Sequence, residues 1–83
     1  PATCSVSAFA RDLKKPTKGM AYRHCTKGWA LVDYPRALGD TGVIARAVSG
    51  RWTIVTGLPS DQCFDDLASL DPPDVFRPML PCR

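Results

Sequence analysis

Four cysteines in a chain of 83 residues are the feature that most constrains its fold. A chain this short buries too little apolar surface for a large core, and small domains often compensate with disulfides. The cysteines Cys4, Cys25, Cys63 and Cys82 are separated by 21, 38 and 19 residues. Zinc sites are usually built from close pairs such as C-x-x-C, so this spacing favours two disulfides and predicts neither a metal nor another cofactor. Because disulfides persist in oxidising compartments, we expect a secreted or cell-envelope protein.

Composition supports a single folded domain over residues 1–83. Hydrophobic residues make up 45% of the chain and charged residues 23%, which is ordinary for a globular protein. The net charge of +3 is too small a bias to suggest a nucleic-acid partner. There is no apolar run of about 18 residues, so we expect no membrane span. The start at Pro1, without Met or a leader, is what a processed product would look like.

The first half of the chain predicts a helix followed by strands. Thr3 is a suitable N-cap for a helix whose apolar residues recur at helical spacing and which Pro16 ends. Residues 20–25 and 29–34 are strand candidates. A three-residue hairpin loop over 26–28 is the expected connection between them, and a bulge within one longer strand is the alternative.

The second half predicts a hairpin and a helix. Strands over 43–48 and 51–55 are joined by Ser49 and Gly50, and the register places Trp52 and Ile54 on the core face. A helix over 61–70 with Ser60 as N-cap follows, and then a last helical turn over 74–77.

These elements predict an α+β fold, in which an antiparallel sheet of three or four strands is flanked by an N-terminal and a C-terminal helix. We expect both helices to cover one face of the sheet and the other face to remain largely in solvent. Four cysteines allow three connectivities, and sequence alone does not select one. The order of the elements favours the pairs Cys4–Cys25 and Cys63–Cys82.

The pattern also resembles small disulfide-containing domains of exported actinobacterial proteins. The shared features are the opening Cys-led helix, C-x-x-G-W-A at Cys25 to Ala30, G-x-W at Gly50 to Trp52, and the later Cys-led helix with a terminal Cys. The resemblance spans nearly the whole chain and implies secretion or envelope attachment. It assigns no catalytic or ligand-binding residue.

Candidate catalytic groups have structural explanations. His24 adjoins Cys25, but neighbours on a strand point to opposite faces, and a disulfide would leave no thiol. Asp65 and Asp66 lie near a predicted helix N-terminus, where carboxylates favour the helix dipole. With one His in the chain and no convergent set of titratable groups, we predict that the protein is not an enzyme.

Binding to a partner is the predicted function. Tyr22 and Tyr34 are the aromatic residues expected on the surface, since Trp52 and Trp29 are assigned to the core. Arg23, Arg46 and Arg51 lie on predicted strands and would form a basic patch if they share the open face. The expected partner is a protein or an anionic envelope polymer, bound by a monomer.

A loop following Tyr34 suggests an alternative function. Pro35 and Arg36 place a basic residue beside proline in a disulfide-stabilised domain, as an inhibitor of an extracellular protease would. No cysteine lies close enough in sequence to brace this loop.

Overall fold

The computed structural model describes residues 2–35 and 41–83 and has an α+β fold. Four strands form an antiparallel sheet in which strand order follows chain order. Helical segments precede and follow this sheet, and two disulfides are present, so the predicted fold class is confirmed. The elements are the helix α1 (Val6–Leu13), the strands β1 (Ala21–Thr26), β2 (Trp29–Asp33), β3 (Gly42–Val48) and β4 (Arg51–Leu58), and two 3₁₀ helices, Phe64–Leu70 and Asp74–Met79.

The helix α1 is capped by Ser5, so the prediction of Thr3 as N-cap was wrong. The Ser5 hydroxyl accepts a hydrogen bond from the Ala8 N–H at 3.1 Å. Thr3 instead uses its carbonyl oxygen in a tertiary contact, accepting a hydrogen bond from the Trp52 indole N–H at 2.9 Å. The helix ends at Lys14, which adopts a left-handed conformation two residues before Pro16.

The first hairpin joins two separate strands, as expected, and not one longer bulged strand, but its loop and its bulge differ from the prediction. Its loop has two residues rather than three, because Thr26 still pairs with Trp29 in the sheet. Lys27 and Gly28 both have positive φ, as a type I′ turn requires. Within β1, His24 also has positive φ, and the register shifts between Arg23 and Thr26, which marks a β-bulge.

The second hairpin has the predicted turn and register. Ser49 and Gly50 form the turn, Val48 pairs with Arg51, and Ala47 pairs with Trp52. Ala45 pairs with Ile54 and Ile44 with Thr56, so Val55 is an extra residue that bulges β4.

Both faces of the sheet are covered, which corrects the expectation of one solvent-exposed face. Trp29 to Val32 in β2 are four consecutive buried residues, a pattern typical of a strand covered on both sides. One apolar cluster lies between α1 and the sheet and contains Phe9, Leu13, Val32, Ala45 and Trp52, among others. The other lies between the sheet and the 3₁₀ helices and contains Trp29, Leu31, Ile44, Phe64, Leu67, Phe76 and Leu80.

Ile54 does not belong to the core, contrary to the sequence-based expectation. It is 46% exposed, whereas Trp52, two residues earlier on the same strand, is buried. The strand β4 is at the edge of the sheet, and α1 packs on it around Trp52, whose ring lies 4.8 Å from that of Phe9. Ile54 lies outside the cluster that α1 forms with the sheet.

The C-terminal layer is built from 3₁₀ turns rather than from the longer helix predicted over 61–70. The first turn begins after Cys63, whose N–H donates to the Asp66 carboxylate at 2.9 Å. Ser60 is therefore not the cap, and its hydroxyl accepts from the Gln62 N–H instead. The segment stops at Asp71, which is left-handed and precedes two prolines that cannot continue a helix.

The two disulfides are Cys4–Cys25 and Cys63–Cys82, as predicted from the order of the elements. The first ties the segment before α1 to the bulge in β1. The second closes the C-terminal layer, and beside it the Phe64 N–H donates to the Leu80 carbonyl at 2.9 Å. None of the helices in the described part of the chain is long and apolar enough to cross a membrane.

Replacing the second disulfide, as in Cys63→Ser/Cys82→Ser, should lower the free energy of unfolding in urea by about 3 kcal/mol, because a loop of about 20 residues is no longer closed. Hydrogen exchange should rise in residues 64–80 and stay unchanged in α1. The matched control, Cys4→Ser/Cys25→Ser, should show the reverse distribution. Uniform acceleration across the chain in both variants would contradict the assignment of one disulfide to each layer.

Candidate functional site

Two of the six predicted binding residues come together in the structure. Arg46 lies opposite Thr53 and Arg51 lies opposite Val48, so the two arginines are diagonal neighbours on the β3–β4 hairpin. We call Arg46, Val48 and Arg51 the hairpin surface. Tyr22, Arg23 and Tyr34 are not part of it, and Arg36 lies outside the described residues.

The two candidates on β1 are engaged in contacts within the fold. Tyr22 is half-exposed, its hydroxyl donates to the Cys4 carbonyl at 3.1 Å, and its ring lies 5.2 Å from that of Phe9. Arg23 donates two hydrogen bonds to the Asp33 carboxylate at 3.0 and 3.2 Å. Both side chains therefore contribute to holding the edge of the sheet.

The two remaining candidates, Tyr34 and Arg36, belong to the segment that follows β2. Tyr34 is buried in the cluster under α1, with the Lys15 ammonium 5.6 Å from its ring centre, so it is not a surface residue. Arg36 falls outside the described residues. The base of the loop is closed by a hydrogen bond from the Tyr34 N–H to the Thr41 carbonyl. Inhibition of a protease through Arg36 stays a prediction.

The arginines of the hairpin surface form no ion pair with the carboxylates that the structure describes. Within residues 2–35 and 41–83, no carboxylate lies within 4.0 Å of Arg46 or Arg51, whereas Arg11 and Arg23 each have one and Arg77 has two. Arg46 is half-buried and Arg51 is exposed.

A groove of about 400 Å³ lies beside the hairpin surface. One wall comes from the hairpin and the other from the first 3₁₀ helix and from Gln62, two residues before it. The apolar part of the lining consists of Val48, Ile54, Val55, Leu67 and Leu70, and the polar part of Arg46, Thr53, Gln62, Asp66 and Ser69. The groove thus combines five apolar residues with one cation, Arg46, and one carboxylate, Asp66.

A depression of about 590 Å³ lies on the other side of β4. Arg11 and Lys14 from α1 and Arg51 from the hairpin line it, and they surround Asp12. The Asp12 side chain is only 4% exposed and accepts hydrogen bonds from the Arg11 guanidinium at 2.9 Å and from the Trp52 N–H at 3.0 Å. The positive charge of Arg51 therefore extends around the edge of the sheet onto the end of α1.

The groups weighed as catalytic have structural partners. The His24 ring packs edge-on against Phe76 at 6.1 Å, and Cys25 is in a disulfide. Asp66 caps the first 3₁₀ helix, and Asp65 lies 4.0 Å from Arg77. In the described part of the chain, no three His, Cys, Asp or Glu side chains are grouped so that they could hold a metal ion.

Sequence reasoning missed the groove and the contribution of α1. Val48 and Leu70 are far apart in the chain, and no local pattern indicates that they face one another. Lys14 and Arg51 line the same depression because α1 packs on β4, which the local sequence of neither element indicates. The sequence of β3 and β4 could have indicated a basic surface, because residues 42–58 include two arginines and no acidic residue.

No protein-family model, curated protein or solved structure matches the chain. The resemblance to exported actinobacterial domains therefore stays a prediction.

The contacts of Asp12 predict a specific loss of stability in acid. The hydrogen bond from Arg11, and then that from the Trp52 N–H, hold the pKa of the Asp12 carboxyl below its ordinary value of 3.8. A carboxylate with a lowered pKa stabilises the fold above the unfolded-state pKa, and this stabilisation is lost as the pH falls through the folded-state pKa. Between about pH 6 and pH 2.5, Asp12→Asn should therefore lose less free energy of unfolding than the unchanged protein does.

The matched control is Asp61→Asn, since Asp61 is exposed. Urea titrations at the two pH values should give this variant the same pH dependence as the unchanged protein. Equal pH dependence in Asp12→Asn and the unchanged protein would show that Asp12 does not stabilise the edge of the sheet.

Proposed function

We propose that this protein is a non-enzymatic interaction domain of the extracytoplasmic space that binds an acidic partner through Arg46 and Arg51. The observation that carries the proposal is the pair of neighbouring arginines, neither of which forms an ion pair with a described carboxylate. A partner carboxylate would form charge-assisted hydrogen bonds with the planar guanidinium groups.

The surroundings of the arginines support an acidic partner. The hairpin carries no carboxylate of its own, and Lys14 adds a further positive charge in the depression beside β4. Asp12 is enclosed there by Arg11 and Trp52, so its charge is already compensated. An exposed ion pair stabilises a complex by about 0.2–1 kcal/mol, so binding depends on several of these cations acting together.

The compartment and the absence of catalysis rest on separate arguments. Both disulfides join distant parts of a small domain, and such bonds persist outside the cytoplasm. The sequence contains a single His, and the side chains weighed as catalytic are engaged in capping, ring packing or ion pairs. These contacts favour a role in binding.

The test measures binding of fluorescently labelled poly-L-glutamate by anisotropy. Reversing both charges, Arg46→Glu/Arg51→Glu, should weaken binding by about tenfold or more, because two attractive contacts become repulsive. Binding by the unchanged protein should also weaken strongly in about 0.5 M salt, where exposed charges are screened. Circular dichroism verifies that the variants are folded, and Arg46→Gln provides a milder substitution.

The matched control is Lys18→Glu/Arg83→Glu, which changes the net charge equally but lies outside the hairpin surface. It should weaken binding by no more than about threefold, an effect of net charge alone. Equal loss in the two double variants would contradict a site at the hairpin. Loss in Arg36→Ala, with none in Arg46→Glu/Arg51→Glu, would transfer the function to the loop after Tyr34.

A further inference from the structure

We infer that the acidic partner is a polypeptide that inserts a large apolar side chain into the groove between the hairpin and the first 3₁₀ helix, while a neighbouring carboxylate binds Arg46. This inference rests on the proposed function and adds the chemical class of the partner. It follows from the position of Arg46, which belongs to the hairpin surface and also lines the groove.

The groove has an unfilled apolar interior. Among the described residues, the large apolar side chains that are clearly exposed are Tyr22, Val48, Ile54 and Val75. Val48 and Ile54, at 43% and 46% exposure, both line this groove. Leu70 is half-buried on the facing wall, and Leu67 closes the interior. Apolar surface concentrated beside a cation is typical of a site for an amphipathic partner.

The size of the groove suits a side chain rather than a folded surface. Its volume of about 400 Å³ lies near the lower end of the range for pockets that enclose a small ligand. Thr53, Gln62 and Ser69 supply hydrogen-bonding groups in its lining, where the backbone of an inserted segment would need them. The Asp66 carboxylate accepts from the Cys63 N–H and keeps its negative charge, and Arg46 is the cation among the lining residues.

The edges of the sheet disfavour binding by strand addition. The N–H of Trp52 at the β4 edge is taken by the Asp12 carboxylate, and the bulge at Val55 interrupts the outward row of backbone groups. The other edge is bulged at His24 and Cys25. Bulges and edge-directed charges are devices that block pairing with another strand. The partner is therefore expected to bind through side-chain contacts in the groove and not through backbone pairing with an edge strand.

Charge complementarity favours a polypeptide over a purely ionic polymer. A polyphosphate or a poly(glycerol phosphate) would pair with Arg46 and Arg51 but would leave Val48, Ile54 and Leu70 exposed. A segment with a carboxylate next to a large apolar residue would satisfy both parts of the site. The groove would then discriminate among acidic partners that the arginines alone would bind equally.

The experiment compares labelled polymers of matched length: poly-L-glutamate, a random copolymer of Glu and Tyr, and polyphosphate. The copolymer should bind about tenfold more tightly than poly-L-glutamate, since burial of one large side chain adds to the ionic contacts. Ile54→Ser should remove most of this preference and leave binding of poly-L-glutamate unchanged. Ile54 is exposed and lies outside the hairpin surface, so the variant should fold normally.

Val75→Ser is the matched control, because Val75 is exposed to a similar extent on the second 3₁₀ helix, outside the groove. It should keep the preference for the copolymer. Amide chemical shifts of the ¹⁵N-labelled protein should move in residues 46–55 with either polypeptide, and in residues 66–70 only with the copolymer.

The outcomes separate the two proposals. Equal binding of poly-L-glutamate and the copolymer, or tighter binding of polyphosphate than of the copolymer, would overturn the polypeptide inference and leave the acidic-partner function standing. Unchanged binding of every polymer by Arg46→Glu/Arg51→Glu would overturn the proposed function itself.

Discussion

The structure depends on a four-stranded sheet that is covered on both faces by layers too small to be stable alone. The helix α1 has eight residues, and the C-terminal layer consists of two 3₁₀ helices of seven and six residues. Isolated helices of this length are marginal in water, so their order comes from packing and from covalent closure. Each layer is tied by its own disulfide, Cys4–Cys25 on the α1 side and Cys63–Cys82 on the other. The central strands can therefore be buried on both sides in a chain of 83 residues.

Local turn chemistry made much of this fold predictable. Ser49-Gly50 and Lys27-Gly28 each supply the positive φ of a two-residue turn, and both hairpins follow from them. The disulfide pairing followed from the order of the elements. The two-sided burial was not predicted, although the apolar run from Trp29 to Val32 is the pattern of a strand covered on both faces.

The errors have a common physical origin in tertiary contacts that the local sequence does not encode. Thr3 is a good N-cap by type, but its carbonyl binds the Trp52 indole and the cap moves to Ser5. The strand pattern places Ile54 on the same face as Trp52, but Ile54 lies outside the apolar cluster that α1 forms with the sheet. Of the candidate site, Arg46 and Arg51 were predicted because they lie on two strands joined by a recognisable turn. The groove was not predicted, because the residues of its two walls lie far apart in the sequence. Its outer wall belongs to the layer that Cys63–Cys82 closes, so the proposed site exists only while that layer covers the sheet.

A nuclear Overhauser spectrum of the oxidised protein tests the two-sided arrangement most directly, because the two tryptophans report on opposite faces. The account predicts cross-peaks from the Trp52 indole to the Phe9 ring, 4.8 Å away between ring centres, and from the Trp29 indole to Phe76, at 6.2 Å. Cross-peaks from both indoles to Phe9, with none to Phe76, would place both layers on one face. That result would contradict the fold and would remove the wall on which the groove depends.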